Sequence, residues 1–166
     1  MRKVLLMGLA AGFILWGCGG GGGGDGGDGS GDASTVPSYG IKISSFTADP
    51  DTVSLGQSFI LSAGYSFSSA NGTVYWEIKI SDQSGSVDVQ IARFYCGGAY
   101  GCPTSFSVTC DWFTNQYGQW LTCTNPSGDS LTIQPYSGSY TVTLKGCVWA
   151  VTRQLCDAAA ASVTLQ

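Results

Sequence analysis

Apolar and polar residues alternate with a period of two from about residue 40 to the end of the chain. That period is the signature of β-strands with one buried face. In QSFILSAGYSF, Phe59, Leu61, Ala63, Tyr65 and Phe67 fall on one side. In TVYWEIKI, Val74, Trp76, Ile78 and Ile80 fall on one side and Tyr75, Glu77 and Lys79 on the other, which reads as a solvent face. Asn71-Gly72 between these runs is a hairpin turn signal. SVDVQIARF predicts a third strand, SLTIQPY a fourth, SYTVTLKGCVWA a fifth and AASVTLQ a last, with Ile41, Ile43 and Phe46 opening the domain. No stretch carries the 3.6-residue period of an amphipathic helix. The expected fold class is all-β, an antiparallel β-sandwich over residues 37–166.

The first 36 residues break the pattern. Arg2 and Lys3 precede an unbroken apolar run, Val4 to Trp16. At thirteen residues it falls short of the roughly 20 that span a bilayer and suits the core of a signal peptide. It ends in Leu15-Trp16-Gly17-Cys18, which resembles the lipobox of bacterial lipoproteins. The resemblance implies that residues 1–17 are a lipoprotein signal peptide and that Cys18 is the lipidated residue. It also implies that the protein is exported and held to a membrane by that lipid. Two or more acyl chains on one residue give stable anchoring where a single chain gives marginal anchoring. Gly19 after the cysteine points, by the same resemblance, to the outer membrane of the cell envelope. Residues 18–36, rich in Gly with Asp25, Asp28 and Asp32, read as a disordered tether with a mean reach of about 20–25 Å. The stretch GGDGGDGSGD superficially matches calcium-binding repeats but lacks the apolar residue each repeat needs.

The strand pattern resembles an immunoglobulin-like β-sandwich over most of 40–94 and 129–166. Trp76 stands where that fold keeps its core tryptophan, and Tyr140 in GSYTVTL stands where it keeps its tyrosine corner. The inter-sheet disulfide of antibody domains is missing, since Ala63 and Val142 occupy the relevant neighbourhoods. A jelly roll is the other architecture that this alternation admits. Residues 94–128 are extra to a minimal module and are expected as a Cys-rich, disulfide-stapled hairpin insertion.

Six cysteines follow Cys18: Cys96, Cys102, Cys110, Cys123, Cys147 and Cys156. An even number in an exported domain argues for disulfides. Fifteen pairings exist for six cysteines, and local geometry narrows them. CDWFTNQYGQWLTC reads as a hairpin turning at Asn115 to Gly118, which sets Cys110 opposite Cys123. CVWAVTRQLC folds back likewise and sets Cys147 opposite Cys156, leaving Cys96 with Cys102. No His and no C-x-x-C spacing is present, so no metal and no cofactor is expected.

In that register Trp112 shares a face with Leu121 and both cysteines, while Phe113 lies opposite Trp120. One pair must then be exposed, packed under another loop, or covered by a partner. With Tyr117, these residues are the candidate binding surface. An immunoglobulin-like topology would root the insertion beside Trp149 and Arg153, which join the candidates.

The chain holds 7 basic and 11 acidic residues and no histidine, for a formal net charge of −4. So few cations exclude a nucleic-acid interface. Without histidine the commonest general base is missing, the carboxylates are scattered, and the chain is read as not an enzyme. The expected function is a noncatalytic binding or scaffolding domain, partnered by the membrane through its lipid and by another envelope protein. The alternative is a carbohydrate-binding module that stacks a glycan on the 110–123 aromatics.

Overall fold

The computed structural model describes residues 39–97 and 101–166. The expected signal peptide, the lipidation at Cys18 and the tether lie outside the described residues. The described chain is all-β. Its ten strands are β1 (Gly40–Asp49), β2 (Thr52–Val53), β3 (Ser58–Ser68), β4 (Val74–Asp82), β5 (Asp88–Cys96), β6 (Ser105–Asn115), β7 (Gly118–Thr124), β8 (Ser130–Ile133), β9 (Gly138–Ala150) and β10 (Arg153–Leu165).

These strands form a sandwich of two five-stranded sheets, ordered β1-β3-β6-β7-β8 and β2-β10-β9-β4-β5. All pairs are antiparallel except β10 with β2. The period-two rows become the inner faces. Phe59, Leu61, Ala63 and Tyr65 of β3 meet Val74, Trp76, Ile78 and Ile80 of β4, all buried. Ile91 and Ala92 are both buried because the β4–β5 register slips there, a bulge that turns two successive side chains inward.

Trp76 is fully buried and packs edge-on against Tyr65 at 4.4 Å and Phe106 at 4.9 Å between ring centroids. Its ring lies over Gly146 of β9. A Cβ at that glycine would stand 2.4 Å from the Trp76 ring and 2.8 Å from Ile41. Gly146 interrupts the apolar row of β9 because the indole occupies its side-chain space.

The hairpin of residues 105–124 is present, but it is no insertion. β6 is the direct neighbour of β3, from Ser58↔Asp111 to Gly64↔Ser105, and β7 and β8 extend the same sheet. The physical reason is the inner row of β6. Phe106, Val108, Cys110 and Trp112 are all buried in the common core, and a strand with a complete apolar row is stable only inside a sheet whose face is covered.

The three disulfides are Cys96–Cys102, Cys110–Cys123 and Cys147–Cys156, the pairs that hairpin registry predicts. They sit in different environments. Cys110 and Cys123 lie in the core. Cys147 and Cys156 face one another on the outer side of their sheet, and Cys96–Cys102 ties the end of β5 to the segment before β6. Three bridges in one domain mark an oxidising, extracytoplasmic location.

The sandwich has two ends. The upper end holds Gly40, the Ser69–Thr73 turn, Cys96 and the Ala150–Arg153 turn. This follows from the pairings Gly40↔Ser68, Val74↔Cys96, Val74↔Val148 and Arg153↔Ala150. The lower end holds Asp49, Ser58, Asp111, Asp82 and Leu165, by the pairings Asp49↔Ile60, Ser58↔Asp111, Asp82↔Tyr140 and Leu165↔Gly138.

Candidate functional site

The 110–123 hairpin has the expected register: Cys110↔Cys123, Trp112↔Leu121, Phe113↔Trp120 and Asn115↔Gly118. Alternation then separates its aromatics. Trp112 is fully buried and donates its Nε1 hydrogen to the Gln166 carbonyl at 3.2 Å. It is a core residue and leaves the set of candidate surface residues. The reason is parity: it shares its face with Cys110 and Leu121, both at 0% exposure.

Phe113 and Trp120 lie on the opposite, outer face and are half-buried. Tyr117, in the two-residue turn, is 73% exposed. Asn115 organises this tip. Its Oδ1 accepts from the Tyr117 backbone N–H at 2.8 Å and from Trp120 Nε1 at 2.9 Å. Both donors are thereby satisfied and the indole is held on the hairpin. Gln134 donates from Nε2 to the Tyr117 carbonyl at 3.1 Å, and Tyr136 nearby is 79% exposed. The tip group therefore gains Asn115, Gln134 and Tyr136. Asn115 was legible as a turn residue, but Gln134 and Tyr136 reach the tip only through the β7–β8 pairing.

The expected proximity of this hairpin to Trp149 and Arg153 does not hold for the aromatic tip. The root of β6 does lie at the upper end, where the Tyr65 N–H donates to the Thr104 carbonyl at 2.9 Å. β6 then runs its full length downward, so its tip stands at the lower end, about 35 Å from the root for an eleven-residue strand. There, the Gly56 N–H donates to the Trp112 carbonyl at 2.7 Å.

Trp149 is 50% exposed and Arg153 is exposed, both flanking the upper turn. The Ser69–Thr73 turn braces them through the Ala70 N–H, which donates to the Trp149 carbonyl at 2.9 Å. On the same outer face Tyr75 and Tyr95 are cross-strand partners with ring centroids 5.0 Å apart, and Tyr95 is 63% exposed. Burial and the adjacent Glu77 raise the Tyr75 phenol above its ordinary value. The solvent side of TVYWEIKI marked Tyr75 as outward, but its pairing with Tyr95 across β4–β5 was not legible.

No group of three or more His, Cys, Asp or Glu side chains able to hold a metal ion occurs among the described residues. No helix of the described chain is long and apolar enough to cross a membrane.

No protein-family model matches this chain, and no curated protein matches it. Among solved structures it is similar to the Pseudomonas fluorescens alkylpurine DNA glycosylase AlkC bound to DNA containing an abasic site analog, at 13% identity with a TM-score of 0.39. The match covers 76% of this chain and 30% of that one. An overlap this loose bears on neither the fold nor the activity of the present chain.

Proposed function

We infer that this chain is a lipid-anchored cell-envelope protein whose sandwich is a noncatalytic, immunoglobulin-like binding or scaffolding domain. The anchor rests on Leu15-Trp16-Gly17-Cys18 and agrees with the oxidising location that the disulfides mark. Two contacts support the immunoglobulin-like reading. The Tyr140 hydroxyl donates to the Tyr136 carbonyl four residues upstream at 2.6 Å, the geometry of a tyrosine corner, and Trp76 fills the core of the third long strand. The order β2-β10-β9-β4-β5 also follows the strand plan of such modules. The facing sheet departs from antibody domains. There the neighbour of the second strand is the last of its sheet in chain order, whereas here β6 pairs with β3 and precedes β7 and β8.

The observation that carries the binding role is the Asn115-ordered tip. It presents Tyr117, Trp120 and Phe113 on a disulfide-stapled hairpin, so their side-chain entropy is partly spent before any ligand arrives. The proposed occupant is another envelope protein. A glycan is the second reading, favoured by the amide groups of Asn115 and Gln134 beside the exposed rings.

The test is a Phe113→Ala, Trp120→Ala double variant of the full chain, with crosslinked partners and glycan titrations read side by side. Loss of a co-purifying partner supports docking. A Trp emission shift on glycan titration of a monomeric protein that the variant abolishes supports the glycan. Binding of neither kind, or binding unchanged in the variant, refutes the tip as the site. The anchor is tested separately by labelled fatty acid. Incorporation should vanish in Cys18→Ala, and equal labelling of both proteins refutes it.

A further inference from the structure

We propose that the upper end of the sandwich, through Trp149, Val151 and Arg153, rests on the interfacial region of an anionic phospholipid bilayer. This inference deepens the anchored-protein reading and rests on it. It assigns the tether-proximal end a membrane contact and leaves the hairpin tip at the lower end free for a partner.

Three observations converge. The first is the turn itself. Val151 is 76% exposed and has φ +41°, a left-handed conformation that a β-branched side chain strongly resists. The Thr152 N–H closes the turn on the Ala150 carbonyl. Gly or Asn would sit there without strain. The chain instead holds an aliphatic group outward at the apex, braced by Cys147–Cys156 and by the Ser69–Thr73 turn. Strain retained at an exposed apolar apex points to a contact outside the domain.

The second is charge. Arg153 flanks the turn, and Lys42 is exposed on β1 two register steps from Gly40↔Ser68. In the strand rows from Tyr75 upward, and in the 69–73 and 150–153 turns, no described residue is a carboxylate. One row below, Asp157 accepts from the Ile43 N–H at 2.8 Å, next to Lys42 in the chain, so Arg153 carries the positive charge of this end. The lower end carries Asp49, Asp51, Asp82, Asp88 and Asp111. Near an anionic surface this distribution favours the upper end facing the lipid and the lower end facing away. Tryptophan, tyrosine and arginine around an aliphatic apex are also the residue types that settle at headgroup depth.

The third is where the chain arrives. β1 begins at Gly40 beside Ser68, at this same end. A chain anchored at Cys18, as proposed above, would therefore enter the described domain at this end.

The experiment uses the full-length lipidated protein in vesicles of phosphatidylethanolamine and phosphatidylglycerol carrying brominated acyl chains. The Trp149 share of the emission is isolated by subtracting a Trp149→Phe variant. Expected is quenching of Trp149 by brominated lipid and protection from aqueous acrylamide. Val151→Asp should reduce the docked population about fivefold or more, the scale of losing one partly buried aliphatic side chain. Val151→Gly relieves the left-handed strain, so it should keep or raise the Tm while losing the lipid contact. That combination separates an outward role from a structural one.

Flotation with the vesicles while Trp149 stays fully open to acrylamide overturns the proposal and leaves the anchor intact. Protection of Trp149 by an acidic oligosaccharide, or by raised protein concentration, with none from vesicles, overturns it too. Failure to float at all overturns the anchor. The contact of the upper end with lipid then stands if added vesicles still protect Trp149, and falls if they do not.

Discussion

At the scale of single residues, two positions tie the sheets together. Gly146 leaves room for the Trp76 ring, and any side chain there meets it at 2.4 Å. Overpacking of a filled core costs about 1–3 kcal/mol. Gly146→Ala is expected to lower stability by that amount, measured by urea unfolding followed by Trp emission. Tyr140 acts through its hydroxyl. Tyr140→Phe removes the bond to the Tyr136 carbonyl and is expected to cost about 1 kcal/mol.

The Tyr140 variant also has a pH signature. Burial raises the Tyr140 phenol above its ordinary 10.0, with the bond to the Tyr136 carbonyl acting the other way. A phenol kept neutral by the fold contributes stability that is complete below pH 10.0. That contribution is lost as pH rises through the higher, folded value. Wild-type stability should therefore fall on that alkaline limb more steeply than that of Tyr140→Phe, read by unfolding across an alkaline series.

At the scale of elements, the three bridges differ by environment more than by loop length. Their sequence separations are 6, 13 and 9, and chain entropy alone assigns each about 2–3 kcal/mol. Removing Cys110 and Cys123 as an alanine pair also opens space among Trp112, Leu121 and Val108, so the loss should exceed the entropic value. Cys147 is covered but lies outside that core cluster and Cys156 is exposed, so the alanine pair at Cys147 and Cys156 should lose less than the core pair. Denaturant midpoints of the two double variants test this order, and the reverse order contradicts the burial argument. The β6–β7 hairpin shows what alternation makes legible. Register, turn and bridge followed from spacing alone because a two-residue turn and a period of two leave little freedom. Its place in the sheet did not follow, because nothing local marks β3 as its neighbour.

At the scale of the whole molecule, the aromatic groups divide between opposite ends. Trp120 and Tyr117 stand at the lower end and Trp149 at the upper. Substitutions at the two ends share no contacts and should be additive. The stability change of Trp120→Ala combined with Trp149→Ala is expected to equal the sum of the singles within about 0.5 kcal/mol. A larger coupling would mean that the ends communicate through the sandwich.

The sequence by itself determined the inward and outward rows of β3 and β4, the register of the β6–β7 hairpin, the pairing of all six domain cysteines, and the all-β class. These are consequences of short-range periodicity, and neighbouring residues carry that information. Only the tertiary structure decided that β6 is a central strand, that Trp112 belongs to the core, and that the two aromatic groups lie at opposite ends. Strand order is set by which apolar rows bury one another best across the sandwich, a long-range competition that no local pattern encodes.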